Sequence, residues 1–115
     1  MRTRSGVVSH RKRLRVRKAT KGMGHNRRAS FRMGKQAETK ALQYAYRDRR
    51  NKKRDFRALW IIRINAAARA NGVTYSQLMS GLKEAGITID RKNLAQLAYE
   101  DPEGFKTLVK SAIKA

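Results

Sequence analysis

The side chains that could carry acid–base, nucleophilic or metal chemistry are few and scattered. His10 and His25 stand fifteen residues apart, each among cations that disfavour a metal ion. There is no cysteine, which excludes disulfides, thiolate zinc sites and thiol catalysis. No carboxylate or hydroxyl group falls into a spacing that suits general acid–base or nucleophilic work. Gly22-Met23-Gly24 lacks the preceding strand that a phosphate-cradling loop requires. What the sequence does concentrate is cation. Arg47, Arg49, Arg50, Lys52, Lys53, Arg54 and Arg57 crowd into eleven residues, and the chemistry they offer is neutralisation of phosphate. The composition therefore points to a binding protein without a reaction or a cofactor of its own.

The whole chain shares this bias. Its 115 residues hold 29 Lys and Arg against 8 Asp and Glu, a net charge of +21. A charge that high repels itself in a compact monomer, so a polyanionic partner is expected. It is also lopsided: residues 1–57 carry 21 basic and 3 acidic side chains, while residues 58–115 carry 8 and 5. A division follows, with a basic arm over 1–57 and a small globular domain over 58–115. No apolar run approaches the roughly 18 residues that span a bilayer. The basic half also lacks the apolar face of a membrane-surface helix, so no membrane role is expected. The Arg-rich, acid-free start resembles an organellar presequence, yet the basic character continues far beyond one.

The elements that must position these charges read as helices throughout. A short helix over about 5–20 is capped by Ser5 or Ser9, and "TKGMGHN" at 20–26 makes a turn. Gly34 is a weak interruption. Lys35 to Asn71 then runs 37 residues without Gly or Pro, rich in Ala, Arg, Lys, Gln and Leu. As one helix it is roughly 55 Å long at about 1.5 Å per residue, more than the rest of the chain can cover. Gly72 ends it. Thr74 with Gln77 forms a capping box for a helix over about 75–85 that stops at Gly86. "ITID" is a short extended link. Asp90 caps a helix over about 91–99, and Asp101-Pro102 opens a last one to about Lys114. Apolar stripes at three- and four-residue spacing predict the core: Tyr75, Leu78, Met79, Leu82; Leu94, Leu97, Ala98; Phe105, Leu108, Val109, Ala112. The fold class is thus all-α, a long basic helical arm running into a small helical domain.

On a helical wheel the seven cations of 47–57 spread around most of the circumference, leaving one stripe, Asp48–Asn51–Asp55, without positive charge. A favourable Asp48–Lys52 pair contributes only about 0.2–0.5 kcal/mol and does not offset the repulsion. A helix in the DNA major groove needs cations mainly on its docking side. Cations on several sides at once suit a rod embedded in folded RNA. Phe31, Tyr44, Tyr46 and Phe56 interleave with arginines, as stacking on unpaired bases requires. Phe56 is expected to pack against a neighbouring helix instead, since Leu59, Trp60 and Ile64 continue its apolar surface. Trp60 is expected to be a buried core residue whose loss costs about 3–5 kcal/mol.

"YAYRDRRNKKRDFRALWIIRINAAAR", residues 44–69, and "YSQLMSGLKEAGITIDRKNLAQLA", residues 75–98, resemble the bacterial large-subunit ribosomal protein twenty family. The likeness covers essentially the whole chain. It departs in the turn, where the family tends to have two aromatics after Lys-Gly and this chain has Met23, Gly24 and His25. The resemblance implies a structural protein of the large subunit, bound directly to its rRNA early in assembly, beside neighbouring ribosomal proteins; a cytoplasmic ribosome is expected, with an organellar one as the lesser alternative. No homo-oligomer is needed. Some members also bind their own messenger RNA as repressors, and that reading stands as the alternative; a nucleoid-type DNA protein is a further rival. The rRNA-contacting candidates in the arm are Arg11, Lys12, Arg13 and Lys21, then Arg27, Arg28, Arg32 and Lys35, then the seven cations of 47–57. Those in the domain are Arg63, Asn65, Arg69, Tyr75, Ser76, Arg91 and Lys92.

Overall fold

A computed structural model describes residues 6–114, and within them six helices and no strand. They are α1 (Gly6–Ala19), α2 (Asn26–Ala29), α3 (Phe31–Ala70), α4 (Tyr75–Glu84), α5 (Arg91–Glu100) and α6 (Pro102–Lys114). The expected all-α class is observed, with the long helix and the small C-terminal set of helices. The contacts divide the chain into two units, one ending at Arg50 and the other beginning at Asn51.

In the first unit, α1 includes Ser9 rather than starting from it, and Ser5 lies outside the described residues. The helix ends where the buried Thr20 donates its hydroxyl to the Val16 carbonyl at 2.9 Å. The expected turn follows, closed by Met23 N–H to the Thr20 carbonyl at 3.1 Å. The one-turn helix α2 was not legible in the sequence. Gly34 does not interrupt α3, which begins at Phe31 and passes through it. A Cβ built on Gly34 would lie 2.8 Å from the Arg27 carbonyl oxygen and 3.2 Å from Val16 Cγ1. Glycine is present because α1 and α2 pack close to this point of α3, and the same packing offsets its poor helix propensity.

In the second unit, α3 stops at a Schellman motif. Gly72, at φ 82°, donates to the Arg69 carbonyl while Val73 donates to that of Ala68, each at 3.0 Å. The same pair of bonds recurs around Gly86, from Gly86 to Lys83 and from Ile87 to Leu82. Both bonds of the expected capping box are formed: Gln77 N–H to Thr74 Oγ1 at 3.3 Å, and Thr74 N–H to Gln77 Oε1 at 3.0 Å. Asp90 accepts from Asn93 N–H at 3.0 Å and Asp101 from Gly104 N–H at 3.1 Å, which starts α5 and α6 as expected. "ITID" is irregular backbone.

Helix α6 packs against α4 and α5. The core holds Ile64 and Ala68 of α3, Leu78 and Leu82 of α4, Leu94 and Ala95 of α5, and Phe105, Val109 and Ala112 of α6. Every residue of the expected stripes is either in this core or packed on it. At the α4–α6 crossing, a Cβ on Gly81 would come within 2.7 Å of the Ala112 carbonyl oxygen. Gly81→Ala is therefore expected to destabilise the domain by about 1–3 kcal/mol despite alanine's better helix propensity. A urea midpoint equal to or above that of the parent protein would show that the crossing relaxes freely.

Two expectations fail on the apolar half of α3. Phe56 is 44% exposed and Leu59 is exposed too, so neither packs under a neighbouring helix, and Trp60 is only partly buried. Phe56, Trp60, Ile64 and Ala68 are four residues apart and share one face, yet burial rises along them from exposed Phe56 to fully buried Ile64 and Ala68. Helices α4 to α6 have only 10 to 13 residues each, and their cover gives out before Phe56.

Candidate nucleic-acid interface

The local fold sets the candidate residues along helices and at helix starts. Arg11, Lys12 and Arg13 lie on α1, Lys21 in the turn, and Arg27 and Arg28 on α2. Arg32, Lys35, the seven cations of 47–57, and Arg63, Asn65 and Arg69 all lie on α3. Tyr75 and Ser76 open α4, and Arg91 and Lys92 open α5. All are exposed except Asn65, Tyr75 and Arg91, which are half-buried. Exposure of this kind leaves the cations hydrated and available, at the cost of mutual repulsion along one helix.

The seven cations between Arg47 and Arg57 occupy an unbroken helix, so their arrangement around the axis is real and not merely a wheel diagram. Arg47 Nε donates to Asp48 Oδ1 at 2.9 Å, with both side chains more than half exposed. That hydrogen bond, reinforced by the carboxylate's charge, raises the Arg47 pKa above its ordinary value.

The tyrosines of this stretch are held by cations of their own helix. The Lys40 ammonium and Arg47 guanidinium lie 5.0 and 4.6 Å from the Tyr44 ring centre. Arg49 and Arg50 lie 5.9 and 5.1 Å from Tyr46, whose hydroxyl also accepts from Arg50 at 2.9 Å. Exposed contacts of this type contribute about 0.5–1 kcal/mol each. They fix the guanidinium planes beside rings that are themselves open to solvent, so ring and cation are presented together.

In the second unit the fold brings Tyr75 and Arg91 together from sixteen residues apart. Arg91 Nε donates to the Tyr75 hydroxyl at 2.9 Å in a half-buried setting, joining the first turns of α4 and α5. The bond aims Arg91 while leaving its terminal nitrogens for another acceptor. Lys92 and Ser76 flank the pair in sequence and are exposed. Arg69 Nε donates to Asn65 Oδ1 at 3.3 Å one turn away on α3. Arg63 lies 5.7 Å from the ring centre of Tyr99, an exposed residue of α5 outside the sequence-predicted candidates. Its helical spacing gave no signal, because an exposed aromatic on a polar face fits no core stripe.

Among the described residues no group of three or more His, Asp or Glu is placed to hold a metal ion. No helix among them is long and apolar enough to cross a membrane.

Comparison with known proteins gives one consistent result. The family model described as Ribosomal protein L20 matches residues 2–108. A relative from Pelagibacter ubique, named large ribosomal subunit protein bL20, is 54% identical over 114 residues, 99% of this chain and 97% of its own. Relatives of the same name from Anaeromyxobacter sp. and Methylobacterium sp. are 55% and 53% identical. They cover 97% and 96% of this chain, and 98% and 89% of their own lengths.

Proposed function

The chain belongs to the ribosomal protein L20 family, and from that premise we propose that it binds large-subunit rRNA directly and supports early assembly of the subunit. It is a ribosomal protein of the large subunit and not an enzyme. Residues 1–57 act as the rRNA-penetrating arm and residues 58–115 as a helical domain resting on RNA and on neighbouring ribosomal proteins.

The observation that carries this reading is the ring of exposed cations around residues 47–57 of α3. On one side only, they would suit a duplex groove. On most sides, they suit RNA strands converging around the helix, each phosphate contact releasing counterions. Phosphate then relieves the mutual repulsion of these cations, and RNA segments that converge on the helix are drawn together as it binds.

Competition is the direct test. With equal masses of large-subunit rRNA and duplex DNA, the rRNA is expected to take the protein at physiological salt. A preference for the duplex would overturn the proposal in favour of a DNA-packaging role. Saturable binding of residues 58–115 alone to the protein's own messenger, without binding to rRNA, would instead support an off-ribosome repressor.

A further inference from the structure

Phe56 and Trp60 have no place in the phosphate chemistry described above, and the core leaves Phe56 open and covers Trp60 only in part. Their ring centres lie 6.3 Å apart with planes inclined by 35°, one turn from each other on α3. Phe56 is exposed and Trp60 is partly so, and together with Lys52, Lys53 and Arg57 they line a shallow recess. Lys52 reaches over the Phe56 ring at 5.8 Å. Three of the five lining residues are cations and none is acidic.

We propose that Phe56 and Trp60 form a platform on which an unpaired RNA base stacks, with Lys53 and Arg57 neutralising the phosphates on either side of it. This deepens the rRNA-binding reading and rests on it. Charge decides the class of occupant. An apolar protein surface seated here would strip water from three cations and return nothing for it. A polyanion meets all three, and only one with accessible ring faces also uses the aromatics. A duplex presents backbone and paired edges. A single-stranded segment presents both a phosphate line and an open π-face, the combination that single-strand readers take up. The two rings differ in support: Trp60 is braced against the core and Phe56 is not, so the platform has one fixed and one adjustable face.

Trp60 is the only tryptophan, so its emission reports on this recess and on the core beneath it, and the melting control separates the two. The experiment titrates the full-length protein with a ten-nucleotide oligoadenylate and with an abasic ribose-phosphate oligomer of the same length and charge. Saturable quenching by oligoadenylate and none by the abasic oligomer is expected. Phe56→Ala is expected to weaken oligoadenylate binding between roughly fivefold and 150-fold, with abasic binding and thermal melting unchanged. Melting is the control for folding, and an exposed Phe56 outside the core predicts no shift. Equal quenching by both oligomers, or oligoadenylate affinity untouched in Phe56→Ala, would overturn the platform while leaving the phosphate-binding arm intact. Failure of both oligomers to bind would overturn the platform and the phosphate-binding reading together. Trp60 unaffected by oligoadenylate yet shielded from acrylamide within assembled subunits would assign the recess to a protein neighbour and also overturn the proposal.

Discussion

Replacing Arg49, Arg50, Lys53 and Arg54 together by glutamine is expected to weaken rRNA binding and flatten its salt dependence. Each cation that neutralises a phosphate contributes roughly 0.7–0.9 to the slope of log K against log salt. Four such contacts therefore remove about three units, and the affinity gap between parent and variant narrows as salt rises. The sign on stability is opposite. Arg49 with Lys53, and Arg50 with Arg54, are like charges one turn apart on an exposed stretch of α3, and each such pair costs about 0.2–0.5 kcal/mol. The free variant should be slightly more helical than the parent by circular dichroism, even though it binds worse. Binding with an unchanged salt slope would show that these four side chains point away from phosphate. Loss of helicity would show that the contacts to the Tyr46 ring matter more to the free arm than the repulsion does.

The largest stability effect is expected for Phe105→Ala. Phe105 is 1% exposed and belongs to one buried cluster with residues of α3, α4 and α5. Removing a ring from such a site costs about 3–5 kcal/mol through lost burial and the cavity left behind. A domain this small rarely has more than about 3–5 kcal/mol in total, so the variant should be largely unfolded at room temperature. Chemical denaturation followed by Trp60 emission would read this directly, because Trp60 packs on the same core. Trp60→Ala, which the sequence suggested as an equal loss, should cost distinctly less, since the ring is only partly covered. A variant in which Trp60→Ala is as damaging as Phe105→Ala would mean that the small contact area of Trp60 understates its role in holding α3 to the domain.

Helix starts and stops were legible because each depends on a few adjacent residues. Thr74 and Gln77, Asp90, Asp101-Pro102, Gly72 and Gly86 act within one turn of themselves, and each acts as expected. The core stripes of α4 to α6 were legible for a related reason. A short helix between two turns has little choice of face, so periodicity alone identifies the buried side. Gly34 misled because its role is tertiary: it lowers local helix propensity, but it is required by the backbone and side chains that approach it from α1 and α2.

The sequence by itself determined the concentration of positive charge in residues 1–57, the all-helical class and the boundaries of the C-terminal helices. These are properties of composition and of neighbours along the chain. Only the tertiary structure decided that Phe56 is open while Ile64 is sealed in, and that Arg91 is aimed by Tyr75 from sixteen residues away. Phe56 and Ile64 lie on the same face of the same helix, and nothing local distinguishes their fates. How deeply a side chain is buried depends on how far the helices packed against it extend, and that is settled by the ends of α4, α5 and α6, not by the residue itself.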